Sequence, residues 1–394
     1  MMKIPYIIIG GGIIGTSIAR EIRKRDLGDV IVLEKEKELG MHASGRNSGV
    51  FHSGINHVRS KDSNKVKLCI NGNRESKEYC KEKKVPYFEC GKLIIAKDED
   101  EIPRLESLLE GARKIGVPEI EIIGKDEIKK IEPNAKGLMA IFSPTEAIVD
   151  SISFLNALAE ESKSLGVKYF MNQKVIDIRG NAITTNQGDF EFSHLINCAG
   201  LYADRMAHMM NLGKEYKIIP FKGKYLKVGT KINSMVYQVP DPEFPFLKVH
   251  LTRTIGGDVL AGPTSTWSFN GRESYDGEFN AGEFLEQIVS KNFWNLVRSR
   301  KFRNLVYENA AISLFKRNFV DEVNKLIEEP ITRRDVRDYK SGIRAQLVDN
   351  KGNMKDDLVI EEGENSIHVL NAISPGMTLA LPFARYFVDK YLIR

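Results

Sequence analysis

The chain has 394 residues, 42% hydrophobic and 28% charged, which suits a globular protein with a large core and about two domains. Its net charge of +5 is a small difference between 58 basic and 53 acidic residues, too balanced for a nucleic-acid binder though compatible with an anionic substrate. No apolar stretch approaches the ~20 residues that span a bilayer. Cys69, Cys80, Cys90 and Cys198 form neither a C-x-x-C pair nor a zinc spacing, and no H-E-x-x-H is present, so inert thiols, a cytoplasmic setting and no metal site are expected.

The first apolar run, Tyr6 to Ile9, ends abruptly in glycine, and small residues recur at Gly10, Gly12 and Gly15. This is G-x-G-x-x-G between a buried strand and a helix, the pattern that cradles a dinucleotide. Gly10 permits the tight turn, Gly12 lets a pyrophosphate approach the backbone, and Gly15 lets helix and strand pack closely. The N–H groups of the first helical turn, around Ile14, then face the phosphates. The run is interrupted by glycines and lacks a small-residue cleavage site, so it reads as part of the fold and not as a secretory signal. A second strand, "VIVLEK", carries Glu34 about 20 residues after the last glycine, where an acid accepts hydrogen bonds from a ribose and repels the extra phosphate of NADP.

"MHASGRNSGVFHSGIN" follows, too rich in glycine, serine and asparagine to be regular throughout. Lys65 to Lys84 reads as a charged helix, and "GKLIIAKDEDEIPRLESLLEGARKIGV" as a strand, a turn and an amphipathic helix. Ser151 to Leu165 is helical in pattern. "VKYFMNQKVIDIRG" and "AITTNQGDFEFSHLINCAG" suggest short antiparallel strands returning to the first sheet, the last closing on small residues. From Pro220 to about Val336 the texture changes to strands with prolines and then helical stretches. "IHVLNAISPGMTLALPFARYFVDKYL" is a strand, a glycine turn and a helix.

Cofactor-type segments therefore stand at the start, middle and end of the chain. A nicotinamide seldom needs the final strand–turn–helix. An isoalloxazine does, since it extends far beyond the pyrophosphate, so FAD is the expected cofactor. The expected class is α/β, with a Rossmann-like FAD-binding domain interrupted by an α+β substrate domain. Residues 1–85, 141–217 and 337–394 are assigned to the first and 86–140 and 218–336 to the second.

"GRNSGVFHSGI", "GKLI", "IVD", "NCAGLYADR", "PDPEFPFLKVHLTRT", "GPTS", "SGIRAQ" and "LNAISPGMT" resemble the L-2-hydroxyglutarate dehydrogenase/oxidase family of D-amino-acid-oxidase-like flavoproteins. The resemblance spans nearly the whole chain in order, and its most specific stretch is Pro240 to Thr254. One departure is "HSGINH", which puts Asn56 and His57 where aromatics are common. The resemblance implies noncovalent FAD, a small dicarboxylate substrate, and oxidation of L-2-hydroxyglutarate to 2-oxoglutarate. The expected cofactor contacts are Gly10, Gly12, Ile14, Gly15, Glu34, Lys35, His42, Ser44, Arg46, Asn47 and Ser48 from the first segment. Val175, Ala199, Gly200, Gly342 and Arg344 follow, and Ser374, Pro375, Gly376, Met377 and Thr378 are expected near the pyrimidine end.

Oxidising a 2-hydroxy acid removes a hydride from C2 and a proton from the hydroxyl, and a neutral imidazole is the usual base. His250, in "KVHLTRT" beside Arg253, is the expected base, and His52 is expected against the flavin. A structural, hydrogen-bonded histidine is the plain alternative for either. The planar forks of Arg253 and Arg344 suit the two substrate carboxylates, with Thr252 and Tyr237 as donors. Lys222 and Lys224 are alternative cations. A glycerol-3-phosphate dehydrogenase or amino-acid oxidase of the same fold, and a nucleotide-binding regulatory protein without turnover, are the competing readings. Lys291 to Phe319 mixes apolar residues with lysines and arginines at roughly helical spacing. Its ordinary reading is core helix with a basic solvated side. The other is an interfacial helix pair resting on the inner face of a membrane, with a quinone rather than oxygen taking the electrons.

Overall fold

The computed structural model describes residues 4–58, 63–241, 247–372 and 374–393. Its first sheet grows outwards from Ile4–Ile9, which pairs in parallel with Val30–Leu33 on one side and with the end of Gly188–Asn197 on the other. Lys168–Phe170 joins beyond Val30–Leu33, and Ser366–Asn371 beyond Gly188–Asn197, both in parallel. Three segments far apart in sequence thus share one layer. The alternation of the strand fixes its two faces. Ile8 packs with Ile18, Ile22, Leu379 and Phe383 under the helices Ile13–Lys24 and Gly376–Tyr391. Ile7 and Ile9 pack instead with Ile183, Phe192 and Met206, beneath the antiparallel ribbon Val175–Arg179 and Ala182–Thr185 and the helix Ala203–Met209. Both faces are covered, so the strand reads as an unbroken apolar run.

The second, nine-stranded sheet has Lys92–Ala96 between Met139–Ser143 and Met235–Gln238. His250–Arg253, Val259–Gly262 and the long strand Lys217–Val228 continue it. Val336–Val348 lies antiparallel to Lys217–Val228, with Phe221 opposite Arg344 and Gly223 opposite Gly342. The expected boundary at 141 falls inside Met139–Ser143, and the expected final segment from 337 begins inside Val336–Val348, both strands of this second sheet. Val50–Phe51, Ala147–Val149 and Tyr87–Glu89 form a small third sheet. In place of a helix pair, the basic stretch forms three helices, Lys291–Arg298, Arg300–Leu314 and Lys316–Asn324.

Candidate active site

A cavity of about 1340 Å3 is lined from both large sheets. At its first end Gly10 has φ 104°, and a Cβ there would lie 2.5 Å from the carbonyl oxygen of Cys198. A Cβ on Gly15 would lie 2.0 Å from the Gly10 carbonyl, so this glycine serves packing and does not line the cavity. Gly12 caps the first helix with ordinary extended backbone and faces the cavity, with room for a Cβ only 3.0 Å from Ser44 Oγ. Ser44 Oγ accepts from the Ile13 N–H at 2.9 Å. Glu34 is almost wholly buried, and its two carboxylate oxygens accept from the N–H groups of Gly11, at 2.9 Å, and Glu36, at 3.0 Å. Gly200 and Gly376 border open space, since a Cβ on either meets nothing within 4 Å. A glycine-edged channel with a fixed buried acid fits a dinucleotide, whose phosphates need close backbone and whose ribose needs an acceptor.

Ile14, Ala199 and Val175 line the same channel. Between the sheets runs the loop with Arg46, Asn47 and Ser48, and it ties itself together. Asn47 donates to the carbonyl of Ser44 at 2.7 Å and accepts from Gly49 N–H at 2.7 Å and from Ser151 Oγ at 2.8 Å. Arg46 lies 4.0 Å over the Tyr275 ring. A Cβ on Gly342 would come 2.3 Å from the Arg46 carbonyl, so only glycine lets the second sheet approach this loop. His42 is held by Tyr275 OH at 2.8 Å, Glu36 at 2.9 Å and Lys35 at 2.8 Å. Glu36, His42 and Glu273 lie within 4.8 Å of one another, and Lys35, ion-paired to both acids, supplies positive charge there. Ser374, Pro375, Gly376, Met377 and Thr378 bring a second helix N-terminus to the cavity wall.

At the other end stand His52, Tyr237, His250 and Arg344. The His250 ring stacks on Tyr237 with centroids 3.9 Å apart, and its Nδ1–H donates to the Lys248 carbonyl at 2.9 Å. Nε2 is thereby left as an acceptor. Burial pulls the His250 pKa down to about 3, with the Lys248 carbonyl opposing and the nearby His52 and Lys92 adding to the fall. Burial likewise lowers Arg344 to about 10. Lys65, from the helix Ser63–Lys83, joins Arg344 on the wall and donates to the Asp356 carbonyl. Burial first and Arg344 second push Lys65 down to about 8.

Besides Gly15, the expected site residues Arg253, Lys222, Lys224 and Thr252 do not line the cavity. Arg253 sits one residue out of phase with Thr252 and His250, so strand alternation turns it away, and its guanidinium lies 5.4 Å over the Phe88 ring. Lys222 alternates with the cavity-lining Phe221 and Gly223, and its ammonium donates to the Ser274 carbonyl at 3.0 Å. Thr252 is buried behind the wall. Of the specific stretch from Pro240, residues 242–246 lie outside the described residues, while Pro240, Asp241 and Leu247 line the cavity.

A family described as FAD dependent oxidoreductase matches residues 5–390. The chain belongs to this family. Among relatives, an L-2-hydroxyglutarate dehydrogenase of Indibacter alkaliphilus is 37% identical, covering 96% of each chain. The Escherichia coli L-2-hydroxyglutarate dehydrogenase is 34% identical over 98% of this chain and 92% of its own, and the human mitochondrial one 34% over 98% and 88%. Of solved structures, the FAD-bound L-alpha-glycerophosphate oxidase of Mycoplasma pneumoniae superposes with a TM-score of 0.75 at 20% identity, over 99% and 94% of the two chains. Glycine oxidase of Geobacillus kaustophilus gives 0.71 at 19%, over 99% and 94%. The protein is thus an FAD-using oxidoreductase with a Rossmann-like cofactor region and a second α+β region, as the sequence predicts.

In this FAD-dependent oxidoreductase, sequence reasoning missed Lys65, Tyr225 and His57 on the cavity wall, and Glu146 and Lys92 behind it. Lys65 lay in a helix that reads as charged and solvated. Glu146 and Lys92 sit in ordinary strand and turn contexts, and only their burial marks them.

Proposed function

We propose that this protein oxidises L-2-hydroxyglutarate to 2-oxoglutarate with noncovalently held FAD. The observation that carries the reading is one cavity with dinucleotide-type glycine turns at one end and, at the other, two buried imidazoles beside two cations. The names of the relatives at 34–37% identity support the substrate. When bound, FAD supplies the two-electron acceptor for C2 oxidation. His250 Nε2, left as an acceptor by the Nδ1–H contact to the Lys248 carbonyl, takes the proton of the C2 hydroxyl. Arg344 and Lys65 hold a carboxylate, the guanidinium by its fork and the ammonium as a point charge. Anaerobic mixing with L-2-hydroxyglutarate should bleach the flavin band much faster than D-2-hydroxyglutarate, lactate or glycerol 3-phosphate. Equal rates with lactate would show that no distal carboxylate is recognised, and a fast response to glycerol 3-phosphate would favour the competing activity.

One further observation favours a membrane acceptor over oxygen. Trp294, Val306 and Tyr307 are exposed along an apolar groove of about 590 Å3 that Trp267, Phe293 and Phe302 also line. Arg303 also lines it, and an apolar groove with a cationic edge suits anionic lipid. No helix among the described residues is long and apolar enough to cross a membrane. In this reading the protein is cytoplasmic and rests peripherally on the inner face of the membrane. It should sediment with anionic vesicles at low salt and reduce a quinone there; rapid peroxide formation without vesicle binding would make it a soluble oxidase.

A further inference from the structure

His52 faces the cavity from one side and a buried ion pair from the other. Glu146 and Lys92 are both wholly buried and paired to each other. Glu146 Oε1 also accepts from Ser53 N–H at 3.1 Å and Ser53 Oγ at 2.7 Å, which fixes the carboxylate. Its other oxygen, Oε2, lies 3.3 Å from His52 Nδ1. That approach is outside good hydrogen-bond geometry, and neither atom has another hydrogen-bond partner among the described residues. Two buried polar atoms facing each other without alternatives need only a small ring rotation to join. The His52 backbone is already held, its N–H donating to Thr378 Oγ1 at 3.1 Å and its carbonyl accepting from Cys69 Sγ at 3.3 Å. Burial would raise the pKa of Glu146, but Lys92 and His52 outweigh it and hold the carboxyl well below the usual range.

His52 and His250 therefore have opposite backing. His250 donates to a neutral carbonyl, whereas His52 faces an ionised carboxylate. Pairs of titratable groups in such contrasting surroundings take contrasting roles. We propose that Glu146 is a positioning residue that takes the His52 Nδ1–H and so fixes the ring with its Nε2 held against the bound substrate, while Lys92 and Ser53 hold Glu146 in place. This inference rests on the hydroxy-acid reading above. It divides the work: His250 handles the hydroxyl proton, and His52 contributes to binding. The other charged or titratable groups near His52 are His57, its ring 6.3 Å away, His250 on the facing strand, and Lys92 behind Glu146. Lys65 and Arg344 act on the neighbouring His57.

The test compares wild-type holoenzyme with Glu146→Gln and with the double variant Lys92→Met/Glu146→Gln, which leaves no buried lysine unpaired. FAD content and the visible spectrum report that each folds. KM for L-2-hydroxyglutarate should rise about 10- to 100-fold at neutral pH, the loss of one charge-assisted hydrogen bond, while kcat changes little. Glu146→Asp, which keeps the carboxylate, should restore most of the lost affinity. The climb in KM from Lys65 near pH 8 should stay in place in every variant and serves as the internal reference. An unchanged KM in the folded double variant overturns the proposal. Failure of the wild type itself to be reduced by L-2-hydroxyglutarate would instead overturn the substrate reading.

Discussion

At the level of single residues, the proposed anion site rests on Arg344 and Lys65. Removing the Arg344 fork by Arg344→Ala should weaken transition-state binding by about 1.5–3 kcal/mol per lost charge-assisted hydrogen bond, read from kcat/KM. Arg253→Ala, directed at a side chain turned to Phe88, should leave kcat/KM near wild type. Lys65 carries its charge below about pH 8 and loses it above, so substrate binding should weaken as pH rises through that value. Lys65→Met should remove this limb of the KM profile. His250→Ala should slow flavin reduction about 10²–10⁴-fold with FAD still bound. Because His250 is pulled down to about 3, it is already neutral in ordinary buffers and should contribute no acid limb to kcat/KM above about pH 5.

Among elements, two helix N-termini border the cavity in which the cofactor is proposed to lie. Gly12 has φ −70° and ψ 179°, a conformation any residue adopts, so Gly12→Val should fold. Its side chain would fill the space beside Ser44 where a pyrophosphate must lie, and purified protein should be colourless. The second helix is held by a closer fit. A Cβ on Gly72 would sit 2.1 Å from the Thr378 carbonyl, so Gly72→Ala must push the helices Ser63–Lys83 and Gly376–Tyr391 apart. Overpacking of this kind costs about 1–3 kcal/mol and should appear as a lowered Tm. Thr378 also accepts the His52 N–H, so weaker FAD retention should accompany the loss.

Across the whole molecule, the segment after the second sheet's edge is pinned back to the first sheet's helix. Arg272 is wholly buried and donates to Asp204 at 2.7 and 3.0 Å, to the Leu201 carbonyl, and to Glu286 at 3.1 Å. Burial alone would raise the Asp204 pKa, but Arg272 outweighs it and the pKa is lowered. The stabilisation is therefore full above the unfolded value of about 3.9 and is lost as pH falls below it towards the folded value. Asp204→Asn removes the closer of the two carboxylates paired with the buried guanidinium, leaving it Glu286, and should cost up to about 3–5 kcal/mol, measured by denaturant unfolding at neutral pH. The difference between variant and wild type should shrink in acid.

What the sequence determined is local and periodic. The glycine turn at Gly10 to Gly15, the acid at Glu34 and the apolar strands follow from spacing along a few residues, and the order of segments implied one sheet assembled from three parts of the chain. His52, His250 and Arg344 were legible because each stood in an unusual context of small or polar neighbours. Tertiary structure decided the rest. Arg253 and Lys222 failed to reach the cavity because period-two alternation points neighbouring side chains to opposite faces, and a one-residue difference cannot be read without knowing which face is inside. Lys65, Glu146 and Lys92 look like ordinary charged residues in sequence. Their roles depend on burial and on partners tens of residues away, and desolvation, which shifts a titration or forces an ion pair, exists only once the two sheets have closed around the cavity.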